Sequence, residues 1–304
     1  MAKRSIVTFL SDYGLQDEFV GVCRGVMLGI KPDLNIIDIH HNILRQDVRH
    51  GAIVLQQSIK FMPEAVHLAV VDPAVGTERR AVAIESRYGE IFVAPDNGLV
   101  MPAVNESGGV KAAYLLSNRS LMLSPMSATF QGRDVFAPAV AHIANGVELK
   151  EFGPEISADE LTGLEVPVAW PHDDHLHAEV LQLDRFGNLQ LNFNQQVLED
   201  VGMAAGKRVE IRMEGHRLQV SYGKSFADVE VGEFVLVEDS YQRLSLAVNK
   251  GDAAARLQAT AGSTIIVGPS IGERPKYRAG LGETRAEWTG ASASSSPEFR
   301  ISWA

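Results

Sequence analysis

Unbroken apolar runs punctuate the first half of the chain, and between them lie stretches whose apolar positions fall three or four apart. Residues 6–10 and 66–71 are runs without alternation, which predicts strands covered on both faces. Residues 35–39 supply a strand between them, and 17–30, 47–60 and 135–144 have helical spacing. Asp17 and Glu18 place acids in the first turn of the first helix, Lys31-Pro32 stops it, and Asp134 opens the last. Strand, helix, strand, helix, strand predicts a mainly parallel sheet with right-handed crossovers. Strand-like runs at 81–85, 91–94 and 112–116 extend it.

Past residue 175 the rhythm changes. Short strands at 178–183, 189–193, 209–213, 218–222, 234–237, 244–248 and 264–267 alternate with Gly, Asn and Asp turns, the pattern of a small all-β barrel or sandwich. The expected organisation is an N-terminal α/β domain over 1–165, a link over 166–175 and an all-β domain over 176–270. A Ser-, Gly- and Ala-rich tail over 271–304 is expected to be poorly ordered. No internal repeat is visible.

Composition narrows the function classes. The 304 residues are 45% hydrophobic, enough for packed cores, and the net charge of -10 comes from mixed signs with no basic stripe. That argues against nucleic acid as a partner. Cys23 is the single cysteine, so no intramolecular disulfide forms, and it reads as a small apolar filler of a helix. The apolar run after Met1-Ala2-Lys3-Arg4 is too short for a signal-peptide core, and no later run approaches a membrane span. A cytoplasmic protein is expected.

The candidate chemistry sits where strands end. Ligands of open α/β sheets gather outside the carboxyl ends of the strands, and Asp72 is the first charged residue beyond 66–71. Pro73 and Gly76 turn the chain there, and Arg79 and Arg80 follow. Asp12 and His41 end the two other strands. Alone, an Asp-Pro after a strand is an ordinary turn, and His40 and His41 read as loop or core histidines.

Phe9-Leu10-Ser11-Asp12-Tyr13-Gly14, then Val71-Asp72-Pro73-Ala74-Val75-Gly76 through Arg79-Arg80, then Ala94-Pro95-Asp96-Asn97-Gly98 and Thr129-Phe130-Gln131-Gly132-Arg133-Asp134 occur in that order. With these motifs the chain resembles the S-adenosyl-L-methionine hydroxide adenosyltransferases, relatives of the enzymes that make 5′-fluoro- and 5′-chloro-5′-deoxyadenosine. The likeness covers about residues 6–267. It implies an N-terminal α/β domain, a C-terminal β-barrel and a homotrimer with sites between neighbouring subunits. It also implies cofactor-free, metal-free hydrolysis of S-adenosyl-L-methionine to adenosine and methionine by attack at C5′. Hydrolytic members carry an Asp, an Arg and a His as their catalytic set. The first two positions match Asp72 and Arg79, but the family motif Thr-Phe-His-Gly-Arg-Asp has Gln131 here in place of His.

The same resemblance assigns Asp12 to the ribose hydroxyls and puts Asp17 in the same loop. Asp184, Phe186 and Asn188 match positions around the methionine amine and the adenine, and Phe226, Ser240 and Asn249 match others on the nucleoside and amino-acid side. Halogenating relatives place an aromatic under the ribose where this chain has Gln46.

The residues themselves support that chemistry. A sulfonium is already a good leaving group, so the protein must chiefly hold a nucleophile in line with C5′. Asp72 can orient water and favour a cationic substrate, and Arg79 can fix the carboxylate. A histidine would add general-base assistance of roughly 10² to 10⁴-fold. Glutamine holds a water but takes no proton near neutral pH. A slowed hydrolase is the first reading, and a protein that binds adenosine or S-adenosylmethionine with little turnover is the second. A halogenase is the third, disfavoured because a negative Asp72 repels halide.

Two further motifs read as structural. Pro171-His172-Asp173-Asp174-His175-Leu176-His177 has the composition of a metal site but falls in the expected link, where solvated polar residues belong. Gly223-Lys224-Ser225 imitates the end of a phosphate loop, yet Leu218 takes the place of its first glycine, so it reads as a turn.

Overall fold

The computed structural model describes residues 4–270, and the chain divides between Val166 and Pro167 into two units. The tail expected over 271–304 lies outside the described residues.

The first unit runs β1 (Ile6–Ser11), α1 (Phe19–Ile30), β2 (Asn35–His40), α2 (Val48–Ile59), β3 (Val66–Val70), β4 (Ala81–Ser86), β5 (Ile91–Pro95), α3 (Met101–Glu106), β6 (Val110–Leu115), α4 (Ala137–Ala144) and β7 (Glu155–Ile156). The sheet order is β2-β1-β3-β5-β4-β6-β7. Both faces of its centre are covered. Phe9, Leu68 and Val93 pack with Cys23 and Met27 of α1 and Val140 and Ile143 of α4. Leu10, Ala69 and Phe92 pack with Ala52 and Leu55 of α2 and Ala103 and Val104 of α3. This two-sided burial is why β3 shows no alternation, since each of its residues is buried.

The sheet is mixed, which corrects the expectation of a mainly parallel one. β2, β1, β3 and β5 are parallel neighbours, while β5/β4, β4/β6 and β6/β7 are antiparallel. The cause is local. β4 and β5 are joined by a short turn in which Ser86 N–H donates to Glu90 O and Gly89 N–H to Ser86 O, and parallel pairing needs a crossover far longer than that. A second correction concerns α1, which begins at Phe19 and has no acid in its first turn, leaving Asp17 and Glu18 exposed ahead of it.

The second unit runs β8 (Trp170–His172), β9 (His175–Leu183), β10 (Leu189–Leu191), α5 (Gln195–Asp200), β11 (Arg208–Met213), β12 (His216–Tyr222), β13 (Phe234–Glu238), β14 (Leu244–Val248), α6 (Ala253–Leu257) and β15 (Thr264–Pro269). Its sheet follows the order β10-β14-β13-β12-β11-β15-β9-β8, and an added β10–β9 pairing closes the ring with β8 left outside. The result is a closed barrel filled by Leu176, Val180, Ile211, Val220, Tyr222 and Leu246. Closure leaves no unpaired edge in the ring itself. The histidine-rich segment is a hairpin of this sheet, with Trp170 opposite His177 and His172 opposite His175. Its Leu176 and Ala178 face the core, so the polar residues between them are one face of a strand.

No helix among the described residues is long and apolar enough to cross a membrane.

Candidate functional site

Beyond β3 the chain turns tightly. Val75 N–H donates to Asp72 O at 3.3 Å, Thr77 N–H to Ala74 O at 3.2 Å, and Gly76 takes φ +83°, a region that favours glycine. The turn brings Arg79 back onto Asp72. Arg79 Nε donates to Asp72 Oδ1 at 3.1 Å and Nη2 donates to Oδ2, a two-pronged pairing in which each side chain is 6% exposed. Nη2 also donates to Gln131 Oε1 at 2.7 Å, and Nη1 to Arg80 O at 2.9 Å. The guanidinium carbon lies 5.4 Å from the Phe136 ring centroid. Arg79 is therefore fixed through all its nitrogens, and it fixes both Asp72 and Gln131.

Gln131 stands at the entry to a π-helical turn, Gly132–Phe136, that leads into α4. Such turns recur at functional sites because they widen the helix by a residue. Gly132 lies beneath Tyr13, and a Cβ at Gly132 would sit 2.0 Å from the Tyr13 hydroxyl. The Tyr13 ring meets Phe19 and Phe130 at 5.8 and 5.9 Å. Burial first, then the neighbouring Cys23, Asp12 and Asp72, hold the Tyr13 hydroxyl well above its ordinary range, so it stays protonated. Arg79 and Gln131 also line a cavity of about 300 Å³, together with Leu115, Met122, Met126 and Val135.

The flanking motifs are scaffolding. Asp96 accepts from Arg80 Nε and from Thr162 N–H, each at 2.8 Å. Asn97 Nδ2 donates to Val71 O at 2.8 Å, tying down the residue before Asp72. Asp134 is 1% exposed and accepts from Ser127 N–H at 2.7 Å and from Arg133 Nε at 2.6 Å. It lies in the first turn of the π-helical segment, as expected, and also braces the chain before it.

Asp12 follows β1, and its Oδ2 accepts from Gln46 N–H at 2.9 Å. Gln46 has φ +62° and projects into solvent. The structure thus brings Asp72, Arg79 and Gln131 into one hydrogen-bonded cluster, with Tyr13 beside it and Asp12 adjacent to Tyr13 in the chain. Asp17 stands exposed before α1. Tyr13 was not singled out from the sequence, although it lies inside the Asp12 motif.

The other predicted residues occupy turns of the barrel. Asp184 Oδ1 accepts from Phe186 N–H at 2.8 Å and Asn188 N–H at 2.9 Å, and Oδ2 from Asn188 Nδ2 at 2.7 Å. The rigid turn presents Phe186, which is 74% exposed. Phe226 is half exposed on a turn that Ser225 and Asp228 close as a capping box. Ser240 is exposed beside Asp239, whose Oδ1 accepts from Tyr241 N–H and Arg243 N–H. Asn249 Nδ2 donates to Val229 O at 2.8 Å. Among the described residues, no group of three or more His, Cys, Asp or Glu side chains is placed to hold a metal ion.

Fold and site together define a two-unit protein, mixed α/β sheet plus closed barrel, with an ion-paired carboxylate presented at the carboxyl edge of the sheet. The chain belongs to the S-adenosyl-L-methionine (SAM) hydroxide adenosyltransferase family: that family's N-terminal domain matches residues 7–153 and its C-terminal domain residues 178–266. The (R)-S-adenosyl-L-methionine hydrolase of Salinispora tropica is 43% identical over 267 residues, covering 88% of this chain and 99% of the relative. A fluorinase of Nocardia brasiliensis is 30% identical over 292 residues, covering 87% and 97%. Among solved structures, a conserved protein from Thermotoga maritima aligns with TM-score 0.81 at 34% identity, covering 86% of this chain and 99% of that one.

Proposed function

We propose that this protein hydrolyses SAM to adenosine and methionine, with Asp72, Arg79 and Gln131 around the attacking water. The observation that supports the reading is the Asp72–Arg79–Gln131 assembly in a chain of this family. The oxygen of water forms a bond to C5′ while the C5′–sulfur bond breaks, its electron pair returning to sulfur and turning the sulfonium into the neutral thioether of methionine. One water is consumed and one proton released. Asp72 orients the water and favours the cationic substrate, and Arg79 locks Asp72 in place. Such positioning can supply roughly 7–11 kcal/mol of the barrier reduction.

Gln131 is the weak link in this reading. Its Oε1 is engaged by Arg79, and neither end of an amide accepts a proton near neutral pH, so turnover is slow. Asp12 holds the ribose, with Asp17 in the same loop. Asp184, Phe186 and Asn188 serve the methionine amine and adenine, and Phe226, Ser240 and Asn249 complete the nucleoside and amino-acid side. The protein acts in this reading as a cytoplasmic homotrimer with sites between subunits.

Incubation with SAM, followed by chromatography of adenosine and methionine, tests it on the parent and on Gln131→His. Slow adenosine release by the parent and faster release by the variant are expected. If neither releases adenosine while both bind ligand, the hydrolase reading fails and the binding-protein reading takes its place. Appearance of a halogenated nucleoside only when halide is added would instead indicate a halogenase, which the Asp72 charge disfavours.

A further inference from the structure

Strands β1 and β2 are parallel, but their register breaks at the end that carries the site. Phe9 pairs with Asp38, whereas Leu10 pairs with His40, so Ile39 is an extra residue in β2. Bulges of this kind re-aim side chains next to sites. Continued by one position, the shifted register sets Ser11 beside His41, and Ser11 Oγ lies 2.8 Å from His41 Nδ1. Without the extra residue Ser11 would meet His40, and the following side chains would exchange faces.

The pair is buried, Ser11 at 0% and His41 at 4% exposure. Phe9 packs its ring edgewise on the imidazole at 4.6 Å. His41 Nε2 lies 3.1 Å from Asp38 Oδ1, out of line for a hydrogen bond, and Arg24 pairs with Asp38. The Ser11 hydroxyl and His41 Nδ1 share this hydrogen bond, and Ser11 Oγ also accepts from Tyr13 N–H at 3.4 Å. Two more hydrogen bonds join the same loops: Gly14 N–H to His41 O at 2.7 Å and Gln46 N–H to Asp12 Oδ2 at 2.9 Å. The loop after β2 thereby grips the Ser11–Gly14 loop on both sides of Asp12 and Tyr13.

We infer that His41 is a positioning residue for the nucleoside half of the substrate: through Ser11 it sets the Asp12–Tyr13 loop, and so the ribose carboxylate. This rests on the proposed function. The variants to make are Ser11→Ala, which deletes only a hydroxyl, His41→Leu, and His41→Asn, whose amide reaches the place of Nδ1. Adenosine binding is read by calorimetry, and KM and kcat for SAM are read separately. Ser11→Ala and His41→Leu are expected to weaken adenosine binding and raise KM by roughly three- to tenfold, as loss of one ordering hydrogen bond implies, with kcat within about twofold. His41→Asn is expected to restore most of the affinity. A merely structural role would lower the thermal midpoint and the active fraction, and hence kcat, without moving KM. If folded Ser11→Ala binds adenosine as tightly as the parent, the inference is overturned alone. A parent that binds neither adenosine nor SAM overturns the proposed function, and the inference with it.

Discussion

Gln131 Oε1 accepts a hydrogen bond, at 2.7 Å, from the same Arg79 nitrogen that donates to Asp72 Oδ2. One nitrogen thus joins the amide to the carboxylate, and what happens at position 131 is felt at Asp72. Replacing Gln131 with Leu removes the acceptor and is expected to cost roughly 1–2 kcal/mol in urea unfolding. Gln131→His is expected to raise kcat by about 10² or more if the imidazole gains access to the water. Equal rates for parent and Gln131→His would reject the proton-transfer account.

Gly132 and Tyr13 exclude each other's enlargement. A methyl at Gly132 would sit 2.0 Å from the Tyr13 hydroxyl but 3.0 Å from the ring carbon that bears it. Gly132→Ala is expected to destabilise by roughly 1–3 kcal/mol, as overpacking does. Adding Tyr13→Phe should return much of that loss. A double-mutant cycle measures the coupling, and strict additivity would show that the two positions do not touch.

Acid should weaken the fold through two buried imidazoles. Burial, with Arg24 and His40 nearby, lowers His41 from 6.5 to about 4. Burial lowers His67 as well, outweighing the hydrogen bond and charge of Glu90. In the unfolded chain both take up a proton at higher pH than in the folded one. The unfolded state therefore binds more protons, and stability rises with pH through that window. The contribution is complete above about pH 6.5 and is lost as pH falls toward 4, for His41 amounting to roughly 3 kcal/mol. Urea midpoints that stay level between about pH 7 and 5 would contradict this.

Along α1, Gly21, Gly25 and Gly29 fall four apart, and a Cβ at each meets open space. Glycine inside a helix costs roughly 0.5–1 kcal/mol relative to alanine. Each Gly→Ala change is expected to stabilise the chain by about that amount in chemical denaturation. A loss of stability at any of them would mean that this face is covered.

Much of this was readable in the residues, and the remainder has physical reasons for being hidden. The unbroken 66–71 run revealed a strand buried on both faces, and Pro73 and Gly76 marked the turn after it, while the pairing of Asp72 with Arg79 was implied only by the family resemblance. The mixed sheet escaped because strand direction there depends on the short turn between β4 and β5, while apolar runs carry no direction. His175, Leu176 and His177 belong to β9 although their polar composition placed them in or beside the expected link, because the alternation of His175, Leu176, His177 and Ala178 is too short to stand out as a strand. The grip of His41 on Ser11 depends on a single extra residue in β2, and the contact of Tyr13 with Gly132 joins distant parts of the chain. Neither leaves a periodic signal.

Neighbouring positions at the π turn differ in how freely evolution can use them. A side chain at Gly132 would meet the Tyr13 hydroxyl, so enlargement there needs a compensating change at Tyr13. Gln131 accepts from Arg79 through its Oε1 and lines a cavity. Glutamine and histidine codons differ by one base. If position 131 sets the rate as proposed, one base change moves a lineage between fast and slow hydrolysis.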